Sequence, residues 1–272
     1  MKRNIFIISD GTGITADSLA NSLLTQFNDI EFEKQTLPYL DSLDKAEALI
    51  SRINICYEET GNKPLIFLTL INSRIGEYIK TQAKAAVFDL FGTFISPLEK
   101  ELKTKSSYTV GLTHGVANIE SYQHRIEAVD YTLAHDDGIK IRGYEDADII
   151  LIGVSRCGKT PSCLYMALQF GILAANYPFT DDDLSDLRLP DVLRPYKSKL
   201  FGLSIDPQRL KEIRTERRPN SQYSSADQCR IEIAEVEAMY QREKIPFINT
   251  TNFSIEEIAT KIMSIAGLTR KI

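Results

Sequence analysis

The sequence predicts an α/β protein built of two parallel-sheet domains. Three observations carry this: short continuous apolar runs, amphipathic segments between them, and one polar stretch separating two such series. A chain of 272 residues suits one large domain or two modest ones, at about 150 residues per domain. Hydrophobic residues make up 43% and charged residues 25%, a globular mixture that excludes disordered and collagen-like classes.

In the first series, Asn4 to Ile8 is the opening strand, and Ile14 to Phe27 places Leu19, Leu23, Leu24 and Phe27 at helical spacing. Ser42 to Tyr57 aligns Leu43, Ala46, Leu49, Ile50 and Ile53 on one helix face. Leu65 to Ile71 and Ala85 to Leu90 are further strands, and Phe94 to Leu102 is a helix. Residues 1–105 thus form an N-terminal domain of Rossmann-like alternation. The polar run Lys103-Thr104-Lys105-Ser106-Ser107 marks its boundary. Residues 106–145 connect, with a helix from Ile119 to Leu133 stopped by His135-Asp136-Asp137-Gly138. Residues 146–272 resume the pattern, with strands at Ala147 to Val154, Ala174 to Pro178, Lys199 to Ile205 and Pro246 to Asn249. Thr160 to Phe170, Gln208 to Arg217, Ala226 to Glu243 and Ser254 to Ala266 are its helices.

Thirty-two basic against 37 acidic side chains give a net charge of −5, so no global basic field draws in nucleic acid or an anionic membrane. The four cysteines form no CxxC pair and are too few to staple such a chain, which fits reduced thiols in the cytoplasm. Ile5 to Ile8 is too short for a signal-peptide core. No run approaches the roughly 18 apolar residues of a membrane span. The expectation is a cytoplasmic protein, compatible with a homo-oligomer.

The most informative stretch follows a buried strand and opens a helix. Gly153-Val154-Ser155-Arg156-Cys157-Gly158-Lys159-Thr160 is GxxxxGK[ST] in full, which makes the second domain P-loop kinase-like. Its glycines let consecutive N–H groups turn inward, the helix N-terminus adds positive charge, Lys159 reaches a terminal phosphate, and the Thr160 hydroxyl suits Mg²⁺. The loop alone does not name a reaction: it would serve a small-molecule ATP kinase or a nucleotide-sensing binding module equally.

His135, Asp136 and Asp137 offer an imidazole and two carboxylates, the groups that orient or deprotonate an acceptor and hold metal. A polar helix terminus with an Asp-Asp-Gly turn would use the same residues. Asp206, closing an apolar strand, is a metal-binding candidate or the cap of the helix that follows. Asp10, in the turn Ser9-Asp10-Gly11-Thr12-Gly13, lies where open α/β sheets bind ligands, although a third glycine is missing. Arg214, Arg217 and Arg218 form a phosphoryl clamp or a solvated, ion-paired helix face. Thr180-Asp181-Asp182-Asp183 offers carboxylates to a metal or, the favoured reading, forms an acidic loop or helix start.

Ile8 to Ala16, Thr113-His114-Gly115 and Asp130-Tyr131-Thr132-Leu133-Ala134-His135-Asp136-Asp137-Gly138 resemble the bacterial and plant dikinase regulatory proteins, which are bifunctional kinase/phosphorylases. Gly153 to Pro161 and Ala174-Ala175-Asn176-Tyr177-Pro178-Phe179 resemble the branch that regulates phosphoenolpyruvate synthase. The branch acting on pyruvate phosphate dikinase usually ends the loop in Ser-Lys-Thr, where this chain has Gly158-Lys159-Thr160. The resemblance runs nearly end to end and includes Tyr240 to Asn252. It implies transfer of the β-phosphate of ADP to a target threonine, and removal of that group by inorganic phosphate with release of pyrophosphate. It implies catalytic roles for His135, Asp136, Asp137 and Lys159, with ADP held by Gly153 to Thr160.

Overall fold

The computed structural model describes residues 2–109, 119–138, 140–180, 183 and 188–272. Thr113, His114, Gly115, Asp181 and Asp182 of the motifs above lie outside them. The chain divides into two compact units, residues 1–115 and 116–272.

The first unit runs β1 (Lys2–Ser9), α1 (Ile14–Leu24), β2 (Glu31–Leu37), α2 (Leu43–Thr60), β3 (Leu65–Thr69), α3 (Ser73–Gln82), β4 (Ala86–Asp89) and α4 (Leu90–Leu102). Its strands are parallel in the order β2-β1-β3-β4. The two-residue period of β1 divides the core. Phe6 and Ile8 join Leu49, Ile53 and Ile79 on one face, while Ile5 and Ile7 join Ala16, Ala20 and Leu90 on the other. Helices therefore cover both faces, as continuous apolar strands require.

Two elements were not expected from the pattern. The edge strand β2 exposes Glu31, Glu33 and Lys34 and presents no apolar run. Helix α3 is short and buries only Ile75, Gly76 and Ile79; Asn72 starts it by accepting from the N–H groups of Arg74 and Ile75.

The second unit runs α5 (Ile119–Ala134), β5 (Ile149–Gly153), α6 (Lys159–Phe170), β6 (Ala174–Pro178), β7 (Leu200–Ser204), α7 (Pro207–Arg217), α8 (Ala226–Glu243), β8 (Phe247–Asn249) and α9 (Ile255–Ile265). Short 3₁₀ turns lie at Asp136–Gly138, Asp191–Lys199 and Gln222–Ser224. The sheet is parallel in the order β6-β5-β7-β8. Every residue of β5 is buried, so the loop that follows springs from the middle of the sheet, beyond the strands' carboxyl ends, where open α/β sheets bind ligands. The chain is thus an α/β protein with a Rossmann-like first unit and a P-loop kinase-like second. No described helix is long and apolar enough to cross a membrane.

Candidate functional site

The phosphate loop begins at a glycine whose backbone and surroundings both oppose a side chain. Gly153 has φ 154°, and a Cβ there would lie 2.6 Å from the Leu203 carbonyl oxygen and 2.9 Å from Cys157 Sγ. Arg156 and Gly158 also have positive φ, at 77° and 96°, the kind of backbone that gathers N–H groups into an anion-binding concavity. Beneath the loop, the buried Tyr240 hydroxyl sits 3.0 Å from the Ile152 carbonyl and 3.3 Å from that of Leu203. Thr250 Oγ1 likewise lies 3.1 Å from the Cys157 carbonyl and 3.0 Å from that of Ser204.

Lys159, only 4% exposed, folds its ammonium back over the loop and donates to the carbonyls of Gly153 (3.0 Å) and Val154 (2.9 Å). A cavity of about 460 Å³ opens beside it, walled by Asp137, Ser155, Thr160, Arg217, Arg218 and Tyr223 as well as Lys159.

The His-Asp-Asp segment meets the loop here. Thr160 Oγ1 donates to Asp136 Oδ1 at 2.8 Å, and the Asn176 amide donates to the same oxygen. Asp137 is exposed on the cavity wall, in a left-handed conformation with φ 51° and ψ 29°, its N–H bonded to Asn176 Oδ1 at 3.1 Å. His135 faces the other way. Its buried ring stacks on Tyr131 at 4.0 Å, with Nδ1 2.7 Å from the Tyr131 carbonyl and Nε2 3.1 Å from that of Arg142. Both ring nitrogens are thus committed to the backbone.

The arginines divide. Arg217 and Arg218 line the cavity, whereas Arg214, 1% exposed, is buried in a two-pronged pair with Glu232, at 2.6 Å (Nη2) and 3.0 Å (Nη1). Arg214 also donates to the carbonyls of Ser155 (3.2 Å) and Tyr223 (3.1 Å) and lies 4.2 Å from the centre of the Tyr223 ring. The Tyr223 and Ser155 hydroxyls meet at 3.0 Å. Arg214 therefore braces the wall instead of clamping a phosphoryl group.

Asp206 is the N-cap of α7, accepting from the N–H groups of Gln208 (2.8 Å) and Arg209 (3.1 Å). Asp10 belongs to the first unit, where its Oδ2 accepts from the Ile71 N–H at 2.6 Å and ties the end of β1 to the segment after β3. Asp183 accepts from the Thr180 N–H and hydroxyl and from Tyr177. Burial pushes the Cys157 thiol up and the Tyr177 hydroxyl to about 12, so both stay neutral.

Among the described residues no group of three or more His, Cys, Asp or Glu side chains is placed to hold a metal. Thr160 and Asp136 supply hard oxygens side by side, and this fits Mg²⁺, which binds through one or two carboxylates completed by substrate phosphates and water. Asn176 and Tyr223 join the site without a motif in the sequence that marks them as site residues. For Asn176 the signal is a lone amide in a buried strand; for Tyr223 the sequence holds none.

A profile of the kinase/pyrophosphorylase family matches residues 5–263. A Legionella pneumophila protein named for the regulation of phosphoenolpyruvate synthase is 69% identical over 272 residues, covering 100% of both chains. Similarly named proteins of Hahella chejuensis and Pseudomonas fluorescens are 56% and 54% identical, over 100% of this chain and 100% and 99% of theirs. A phosphate loop meeting the His-Asp-Asp segment, with matches that span the chain, makes this protein a member of the kinase/pyrophosphorylase family.

Proposed function

We propose that the chain is an ADP-dependent protein threonine kinase and a phosphate-dependent phosphorylase, and that its target is phosphoenolpyruvate synthase. The observation that carries this reading is the Thr160–Asp136 hydrogen bond, which joins the phosphate loop to the His-Asp-Asp segment in one site. The names of the full-length relatives support the target.

In the kinase direction, the threonine oxygen attacks the β-phosphorus of ADP, the bond to the bridging oxygen breaks, and AMP leaves. Asp137, on the cavity wall, takes the hydroxyl proton. In the phosphorylase direction, an oxygen of inorganic phosphate attacks the phosphothreonine phosphorus; the bond to the threonine oxygen breaks, that oxygen takes a proton, and pyrophosphate leaves. Lys159 and the loop N–H groups stabilise the charge on the transferring group in both directions. Asp136 orients Thr160, and His135 positions the segment from within the fold. Mg²⁺, held by Thr160 and Asp136, supplies neutralisation of phosphate charge when bound.

The test is incubation with phosphoenolpyruvate synthase, Mg²⁺ and ADP labelled on its β-phosphate. Label on a target threonine supports the reading. Label that moves only from ATP to a small metabolite, or inhibition of the synthase with no phosphate on it, refutes it.

A further inference from the structure

One uncharged side chain holds both the carboxylate of Asp136 and the backbone of Asp137. Asn176 sits in β6 after Ala174 and Ala175 and is fully buried. A buried amide is costly unless its groups are bonded, and here its side chain bonds to both aspartates of the segment. Its Nδ2 donates to Asp136 Oδ1, its Oδ1 accepts from the Asp137 N–H at 3.1 Å, and its backbone N–H donates to the His135 carbonyl at 3.2 Å. Its own carbonyl accepts from the Tyr144 hydroxyl at 3.0 Å. Three consecutive residues, His135, Asp136 and Asp137, are thereby laid along one strand residue.

Two features need such a template. Asp137 is left-handed without being glycine, a conformation that persists only where the surroundings over-determine it. Asp136 directs one oxygen, Oδ1, to both Thr160 and Asn176, and among the described residues Oδ2 has no hydrogen-bond partner. With one donor removed, the carboxylate is free to rotate away from Thr160.

We propose that Asn176 is the positioning residue for Asp136 and Asp137, fixing which oxygen of Asp136 is committed to Thr160 and, through the Asp137 N–H, holding Asp137 on the cavity wall. This rests on the phosphoryl-transfer reading above and adds a residue that the reaction itself does not touch.

The test compares the unaltered protein, Asn176→Ala, and the exchange Asp136→Asn with Asn176→Asp, which retains an amide-to-carboxylate bond between the positions but moves the charge. Label transfer from ADP gives kcat, calorimetry gives ADP affinity without the target, and a thermal melt reports folding. The expected result for N176A is a fall in kcat of about 10- to 100-fold in both directions, with ADP affinity within about threefold. The exchange variant is expected to melt near the unaltered protein yet stay slow. A kcat for N176A within threefold of the unaltered value overturns the proposal, as does recovery of kcat by the exchange, which would mark the pair as structural only. Should N176A not fold, Asn176→Ser is read by the same criteria. Unaltered protein that transfers no label refutes the function reading and this proposal with it.

Discussion

Thr160 Oγ1 lies 2.8 Å from Asp136 Oδ1, although 24 residues and a strand separate them in the chain. A hydroxyl that donates to a carboxylate keeps its lone pairs for a cation, so the two residues act as a unit. Thr160→Val and Asp136→Asn are each expected to cut kcat by about 100-fold, and together by little more than either alone. Initial rates in both directions check this; fully multiplicative losses would show that the residues act separately.

Lys159 gives two of its three N–H donors to loop carbonyls from a nearly closed position. Charged hydrogen bonds are worth about 1.5–3 kcal/mol each, so Lys159→Met is expected to weaken ADP binding about 100-fold. Calorimetry without the target measures it.

The loop glycines are not equivalent. At Gly153 both φ and the Leu203 carbonyl oppose a side chain, whereas at Gly158 nothing lies within 4 Å of an added Cβ and only φ is unfavourable. Gly153→Ala is expected to cost about 3 kcal/mol or more and Gly158→Ala about 1 kcal/mol. Denaturant melts of the two variants make the comparison.

Arg214→Met strands the buried Glu232 carboxylate and is expected to cost about 3–5 kcal/mol. Glu232→Met in the same chain should restore most of that stability, because a buried pair replaced as a whole is often close to neutral. ADP affinity should not recover, since the Ser155 carbonyl still lacks its donor.

The Cys157 thiol is raised by burial, so at pH 7.5 it is protonated, and thiols react as thiolates. Iodoacetamide at that pH is expected to leave activity intact, even where the half-buried Cys56 is labelled. Rapid inactivation traced to Cys157 by mass spectrometry would contradict this.

The buried strands and the phosphate loop were legible because each is local: β5 is a continuous apolar run, and the loop is defined by spacing along the chain. The edge strand β2 was not, because water satisfies one side and charged residues are tolerated there. Within the site, Asp206 and Asp136 present the same carboxylate to a reader of sequence. Only the fold decides that the first caps a helix while the second reaches Thr160. Arg214 and Arg217 share a helix, yet the three-residue step between them separates a buried brace from a cavity wall. The role of Asn176 depends on strand β6 lying beside the Asp136–Gly138 turn, a contact between segments 40 residues apart.

In the proposed reaction pair one phosphate loop serves both directions. Phosphoenolpyruvate synthase labelled on threonine by β-labelled ADP would be repurified, then incubated with unlabelled phosphate and either the unaltered protein or Lys159→Met. The unaltered protein is expected to release the label as pyrophosphate, and Lys159→Met to lose this release together with the kinase reaction. Release of the label as free phosphate, or a Lys159→Met protein that loses one direction and keeps the other, would contradict it.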